Sequence, residues 1–245
     1  MSLFRKTPAA TVPVPEHTGP AISFDKVPPG LVNLAKAAAV SLEKSGLTGQ
    51  RAAVYLVLDH SGSMLPFYGS GSVQRLAEQA LGLSANLDND GTVPIVFFGT
   101  YASAPILVDL ADYAGIIDRE HTQVTWGSTD YVSAMRAVIN HHTKSGATDP
   151  AFVIFQTDGV PDDRRATEQA LRDASSLPIF WAFVGFGNSI GFLERLDDLR
   201  GRTVDNASFF HAADPHRVTD ADLYDGLTHE YAGWLAAATA AGIVR

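Results

Sequence analysis

A doubly wound α/β fold is what this sequence predicts, with a mostly parallel central sheet, one antiparallel edge strand and helices on both faces. Three observations carry the prediction. Apolar runs at Ala53–Leu58, Val93–Phe98, Ile106–Leu110, Ala151–Gln156 and Ile179–Val184 are mostly near-continuous, as expected of strands buried on both faces. Helical patterns separate most of them, the rhythm of crossover connections. The runs Val93–Phe98 and Ile106–Leu110 are the exception, being about seven residues apart. That is too short for a crossover helix, so they should form an antiparallel hairpin at a sheet edge.

The elements follow in order. Residues 1–21 carry Pro8, Pro13, Pro15 and Pro20 with little apolar content, and are expected to be a flexible tail. A short strand is expected at Ile22–Phe24. Pro28, Pro29 and Gly30 then open a helix over Leu31–Lys44. Val73, Leu76, Ala77, Ala80, Ser84 and Leu87 mark one face of a helix beginning near Ser72. Val132, Met135, Val138 and Ile139 mark another, and Leu223, Leu227, Tyr231, Trp234 and Leu235 are read as a single last helix. Ser208–His211 is a shorter sixth strand. Residues 22–245 are thus expected to form one domain with a helical extension at its start.

Composition narrows the function classes. Hydrophobic residues make up 46% of the chain and charged residues 18%, which excludes a largely disordered protein. Lys and Arg total 18 against 27 Asp and Glu, a formal net charge of −9. That is not the footprint of a nucleic-acid or anionic-membrane binder. With no cysteine, disulfides, thiolate metal sites and cysteine nucleophiles are excluded. No apolar run is long enough for a signal peptide or a membrane span, so cytoplasmic residence without membrane insertion is expected.

The chemistry-bearing residues stand where buried strands end. The first strand ends at Asp59, followed by His60-Ser61-Gly62-Ser63. The strand FVIFQ ends at Thr157-Asp158-Gly159. Between them in sequence lies Gly127-Ser128-Thr129-Asp130, a loop opening a helix. In open α/β sheets ligands bind at the carboxyl edge, where the strand order reverses. Asp59, Ser61, Ser63, Thr129 and Asp158 therefore read as an oxygen-only site for one divalent cation. Mg²⁺ suits such a donor set, with Mn²⁺ or Ca²⁺ as alternatives. Neutral hydroxyls leave a bound ion short of negative charge and open to an outside carboxylate.

The sequence Asp59-x-Ser61-Gly62-Ser63, then Thr129, then Asp158, resembles the metal-ion-dependent adhesion site of von Willebrand factor A domains. The segment LDHSGSMLPFYGSGSVQRLAEQALGLSANLDNDGTVPIVFFG and the ending EYAGWLAAATAAGIV are similar to the bacterial branch associated with tellurite resistance and stress response. The likeness covers about residues 30–245. It implies a Rossmann-like sheet with one antiparallel edge strand, in agreement with the hairpin read above. It also implies that Ser61, Ser63 and Thr129 contact the metal, with Asp59 and Asp158 acting directly or through water. A protein partner's Glu or Asp would complete the coordination. Asp130 departs from many relatives, where a neutral polar residue stands; it either tightens cation binding or caps the helix.

Other features take plainer readings. Gly185-Phe186-Gly187 has its next glycine at Gly191, so it reads as a turn and not a dinucleotide loop. His141 and His142 read as a solvated helix end, and His60 either packs beside the oxygen site or stands just behind the metal's direct ligands. Asp162 and Asp163 resemble a helix start, with shaping of the ligand rim as the alternative. Tyr68, Trp126 and Tyr131 either pack or line the ligand rim. The leading function is a metal-dependent protein-binding module rather than an enzyme. A Mg²⁺-dependent phosphohydrolase with Asp59 as nucleophile is the rival, although Ser61 stands where that motif needs a second Asp. A third reading is a structural subunit that uses the metal for stability.

Overall fold

The computed structural model describes residues 17–244. Its elements in chain order are α1 (Pro29–Lys44), β1 (Ala53–Asp59), α2 (Leu65–Gly69), α3 (Ser72–Leu87), β2 (Thr92–Phe98), β3 (Ile106–Asp109), α4 (Ile116–Glu120) and α5 (Tyr131–Ser145). They continue with β4 (Ala151–Thr157), α6 (Arg164–Ala174), β5 (Ile179–Phe186), α7 (Gly191–Asp197), β6 (Ala207–Ala212), α8 (Asp220–Thr228) and α9 (Tyr231–Ala240).

The six strands form one sheet in the order β3-β2-β1-β4-β5-β6. Only β3 runs antiparallel, paired with β2 from Thr92↔Asp109 to Ile95↔Ile106. The short connection allows nothing else. Pro94, which lacks an N–H, sits in β2 just before its pairing with β1 begins at Leu56↔Ile95, so no ladder bond to β1 is lost there.

Strand alternation divides the core in two. Val54, Leu56 and Leu58 of β1 point with Ile95, Phe97, Phe152 and Phe180 into a layer closed by α1, α3, α8 and α9. Tyr55 and Val57 point with Val96, Phe98, Val153, Phe155 and Trp181 to the layer under α5, α6 and α7. Both faces are covered, which explains the near-continuous apolar runs. Each fully buried side chain of this kind contributes roughly 2 kcal/mol of transfer free energy.

Three expectations need correction. Ile22–Phe24 is not a strand: the Ala21 and Ile22 amides donate to the Asn86 and Ala85 carbonyls at 3.1 and 2.9 Å. They pair carbonyls at the carboxyl end of α3, where the Asn86 oxygen also accepts from the Arg51 guanidinium. Of the tail expected over residues 1–21, residues 1–16 lie outside the described residues, while the Gly19 carbonyl accepts from the Arg51 guanidinium at 3.3 Å. The expected last helix is two, α8 and α9, broken after Thr228. The Thr228 hydroxyl bonds back to the Tyr224 carbonyl at 2.8 Å, a contact that bends helices. The break lets Tyr231 and Trp234 turn onto Phe180. The third correction concerns His141 and His142. His142 is buried, and His141 Nδ1 lies 2.9 Å from the Tyr55 hydroxyl. Burial pulls the His142 pKa below the usual imidazole value.

Candidate metal centre

The β1, β4 and α5 loops meet at the carboxyl edge of the sheet, because β1 and β4 are parallel neighbours in register from Ala53↔Ala151 to Leu58↔Gln156. Four of the five candidate residues form one hydrogen-bonded chain. The Ser61 amide donates to Asp59 Oδ1 at 2.8 Å. Ser61 Oγ stands 3.2 Å from Ser63 Oγ, and Ser63 Oγ donates to Asp158 Oδ1 at 2.8 Å.

Thr129 reaches this edge through its backbone. Ser61 and Gly127 form a parallel bridge, and the Gly127 amide donates to the His60 carbonyl at 3.1 Å. Gly127 has to be glycine: a Cβ there would fall 2.4 Å from the Thr100 nitrogen. On the other side the Thr129 amide donates to Asp162 Oδ2 at 3.1 Å, and the Asp162 amide returns a bond to the Thr129 carbonyl at 3.0 Å. The Thr129 hydroxyl has no hydrogen-bond partner among the described residues.

Asp59 is fully buried, and burial pushes its carboxyl up to about 6 against the lowering effect of bonds from Thr157 and Ser61. Its second oxygen accepts from Thr157 Oγ1 at 2.5 Å. Thr157 is a site residue that pattern reading missed. It stood beside Asp158 in the sequence, but its inward direction depends on strand phase. Tyr131 supports it in turn, donating to Thr157 Oγ1 and the Gly159 carbonyl at 3.1 and 2.7 Å. Both Asp59 oxygens accept hydrogen bonds, from Ser61 and Thr157, and nothing in this geometry favours Asp59 as the nucleophile of a phosphohydrolase. Burial also raises Asp158, partly offset by the bond from Ser63.

The aromatic residues pack. Tyr68 is buried and donates to the Asp59 carbonyl at 3.0 Å. The His60 ring stacks on Trp126 with centroids 3.7 Å apart and planes 10° from parallel. Burial drives the His60 pKa down to about 4, so the ring is neutral near pH 7. Asp130 and Asp163 act as helix caps, accepting from the Ser133 and Ala166 amides at 3.1 and 2.9 Å.

The donor set fits a hard divalent cation. It offers oxygen alone, and no cluster of three or more His, Asp or Glu suited to a metal occurs among the described residues. Cis oxygens on an octahedral ion with bonds of roughly 2.1 Å stand about 3 Å apart. The Ser61–Ser63 and Ser63–Asp158 separations of 3.2 and 2.8 Å bracket that value.

The fold is that of a von Willebrand A domain. The chain belongs to the TerF-like family of these domains: the family model for the von Willebrand A domain found in the TerF C terminus matches residues 51–244. It is 35% identical over 216 residues to the uncharacterized protein YcbR of Bacillus subtilis strain 168, covering 86% of this chain and 88% of that one. It is similar in structure to a von Willebrand factor type A protein from Catenulispora acidiphila, with a TM-score of 0.53 at 16% identity, over 76% of this chain and 43% of that one. The manganese-loaded TRAP protein of Plasmodium vivax aligns with a TM-score of 0.52 at 19% identity, over 72% of this chain and 74% of that one. Among the described residues no helix is long and apolar enough to cross a membrane.

Proposed function

We propose that this protein is a metal-dependent protein-binding module rather than an enzyme, in which one divalent cation captures an acidic side chain of a partner. Ser61, Ser63 and Thr129 would hold the ion through their hydroxyls, with Asp158 and the buried Asp59 supplying negative charge directly or through water. Mg²⁺ is the cation best suited to the set, with Mn²⁺ and Ca²⁺ as alternatives. The observation that carries the reading is the Ser61–Ser63–Asp158 row, spaced 3.2 and 2.8 Å at the sheet's carboxyl edge. When bound, an ion in this set would keep much of its positive charge, because most of the nearest donors are neutral. Ser61 and Ser63 orient on Asp59 and Asp158, while Asp162 holds the Thr129 loop in place. The partner is a protein supplying Glu or Asp. Nucleic acid does not suit a chain of net charge −9. Family membership supports a cytoplasmic role in a bacterial tellurite-resistance or stress-response system.

The test is cation-dependent stability and capture. Saturating Mg²⁺ at about a hundred times its Kd should stabilise the protein by about 2.7 kcal/mol. EDTA should reverse this, and a capped glutamate peptide should bind only in the presence of the metal. Asp158→Ala should fold normally and lose both effects. Peptide capture that survives EDTA, or survives in Asp158→Ala, would overturn the reading.

A further inference from the structure

Beside the candidate metal centre lies a groove of about 260 Å³ lined by Val160, Arg164, Ser189, Gly191, Phe192 and Arg195. The β4–α6 loop that carries Asp158 lines this groove with Val160 and Arg164. Arg164 is exposed, and its side chain makes no hydrogen bond or ion pair among the described residues. Neither adjacent acid pairs with it: Asp163 accepts from the Ala166 amide at the start of α6, and Asp162 accepts from the Thr129 amide. Arg195 lies 5.7 Å from the centroid of the Phe192 ring, and only its Nη2 is engaged, donating to Glu168 Oε1 at 2.7 Å. Its Nε and Nη1 are left to other acceptors. On a chain of net charge −9, two guanidinium groups therefore converge over an apolar floor next to the site proposed to receive a carboxylate.

We infer that this groove receives a second carboxylate from the same partner segment, seated on Arg164 and Arg195 with its methylenes against Val160 and Phe192. The partner would then be a diacidic peptide segment, read by a cation at one carboxylate and by a guanidinium pair at the other. Arginine suits the second role because its planar donors match a carboxylate. The inference rests on the metal reading for the first carboxylate only.

The experiment follows backbone amide resonances of the full chain while capped peptides bearing one glutamate, or two at varied spacing, are added with Mg²⁺ or with EDTA. With Mg²⁺, the best two-glutamate peptide should bind at least about tenfold more tightly than the single-glutamate peptide. Arg164→Gln should erase that difference and leave single-glutamate binding as it was. With EDTA, the two-glutamate peptide should still shift the Val160, Ser189 and Gly191 amides, weakly, and not in Arg164→Gln. Groove shifts without any tightening by Mg²⁺ would uphold the groove and sink the metal reading. Tightening by Mg²⁺ with no preference for the second glutamate, or with a preference that Arg164→Gln leaves intact, would sink the groove alone. Neither response would sink both.

Discussion

Thr157 Oγ1 donates a hydrogen bond of 2.5 Å to Asp59 Oδ2 across two adjacent strands, deep beneath the candidate metal centre. The bond ties the end of β4 to the end of β1 and leaves neither Asp59 oxygen free, since the other accepts from the Ser61 amide. Thr157→Val keeps the shape and removes the donor. A buried acceptor without its partner costs about 1–3 kcal/mol. Denaturant unfolding should show a loss of that order. The bound cation should also weaken, because Asp59 is then held from one side alone; unchanged Mg²⁺ affinity by calorimetry would contradict the coupling.

Gly127→Ala tests how the Thr129 loop is seated. The new methyl would meet the Thr100 nitrogen at 2.4 Å, and neither backbone has a flexible end that can move aside. Overpacking of this kind costs roughly 1–3 kcal/mol. We expect a lower melting temperature together with weaker Mg²⁺ binding, whereas Gly159→Ala, with nothing within 4 Å of the added carbon, should leave Mg²⁺ binding close to that of the parent.

Asp130 separates a helix cap from a metal ligand. Its carboxylate accepts from the Ser133 amide, so Asp130→Ala should cost about 1 kcal/mol of stability. Asp130→Asn should recover most of that loss, since asparagine also caps. Mg²⁺ affinity should be the same in Asp130→Asn as in the parent; a marked fall would make Asp130 part of the cation site.

Asp197 gives a pH dependence away from the candidate site. Burial first, then the charges of Glu230, Asp205 and Asp198, raise its carboxyl to about 7 against the pull of Arg202. In the unfolded chain an aspartate titrates near 3.9. The folded state therefore binds more protons between about pH 4 and 7, and the favourable contribution of protonated Asp197 is lost as the pH rises through that window. Asp197→Asn should match the parent below about pH 4 and become progressively more stable than it up to about pH 8. A stability difference that does not vary with pH would rule this out.

Much of this protein was legible in one dimension. Strand runs, the edge hairpin and the loops bearing Asp59, Ser61, Ser63, Thr129 and Asp158 all follow from local pattern. Apolar continuity, turn residues and connection length act over a few residues and survive without knowledge of neighbours. The tertiary structure decided what depends on which side chains face one another. Thr157 became the partner of Asp59 only because β1 and β4 run in register. Asp162 became a clamp on Thr129, and Asp163 a cap, though the two are adjacent in sequence. His142 went into the core because α5 packs against the sheet face that carries Tyr55. Ile22 joined the end of α3 because unpaired carbonyls there needed donors. Apart from the Asp163 cap, which is local and follows from the sequence, the deciding contact in each case joins groups far apart along the chain, whose desolvation has to be met by a partner that local sequence does not name.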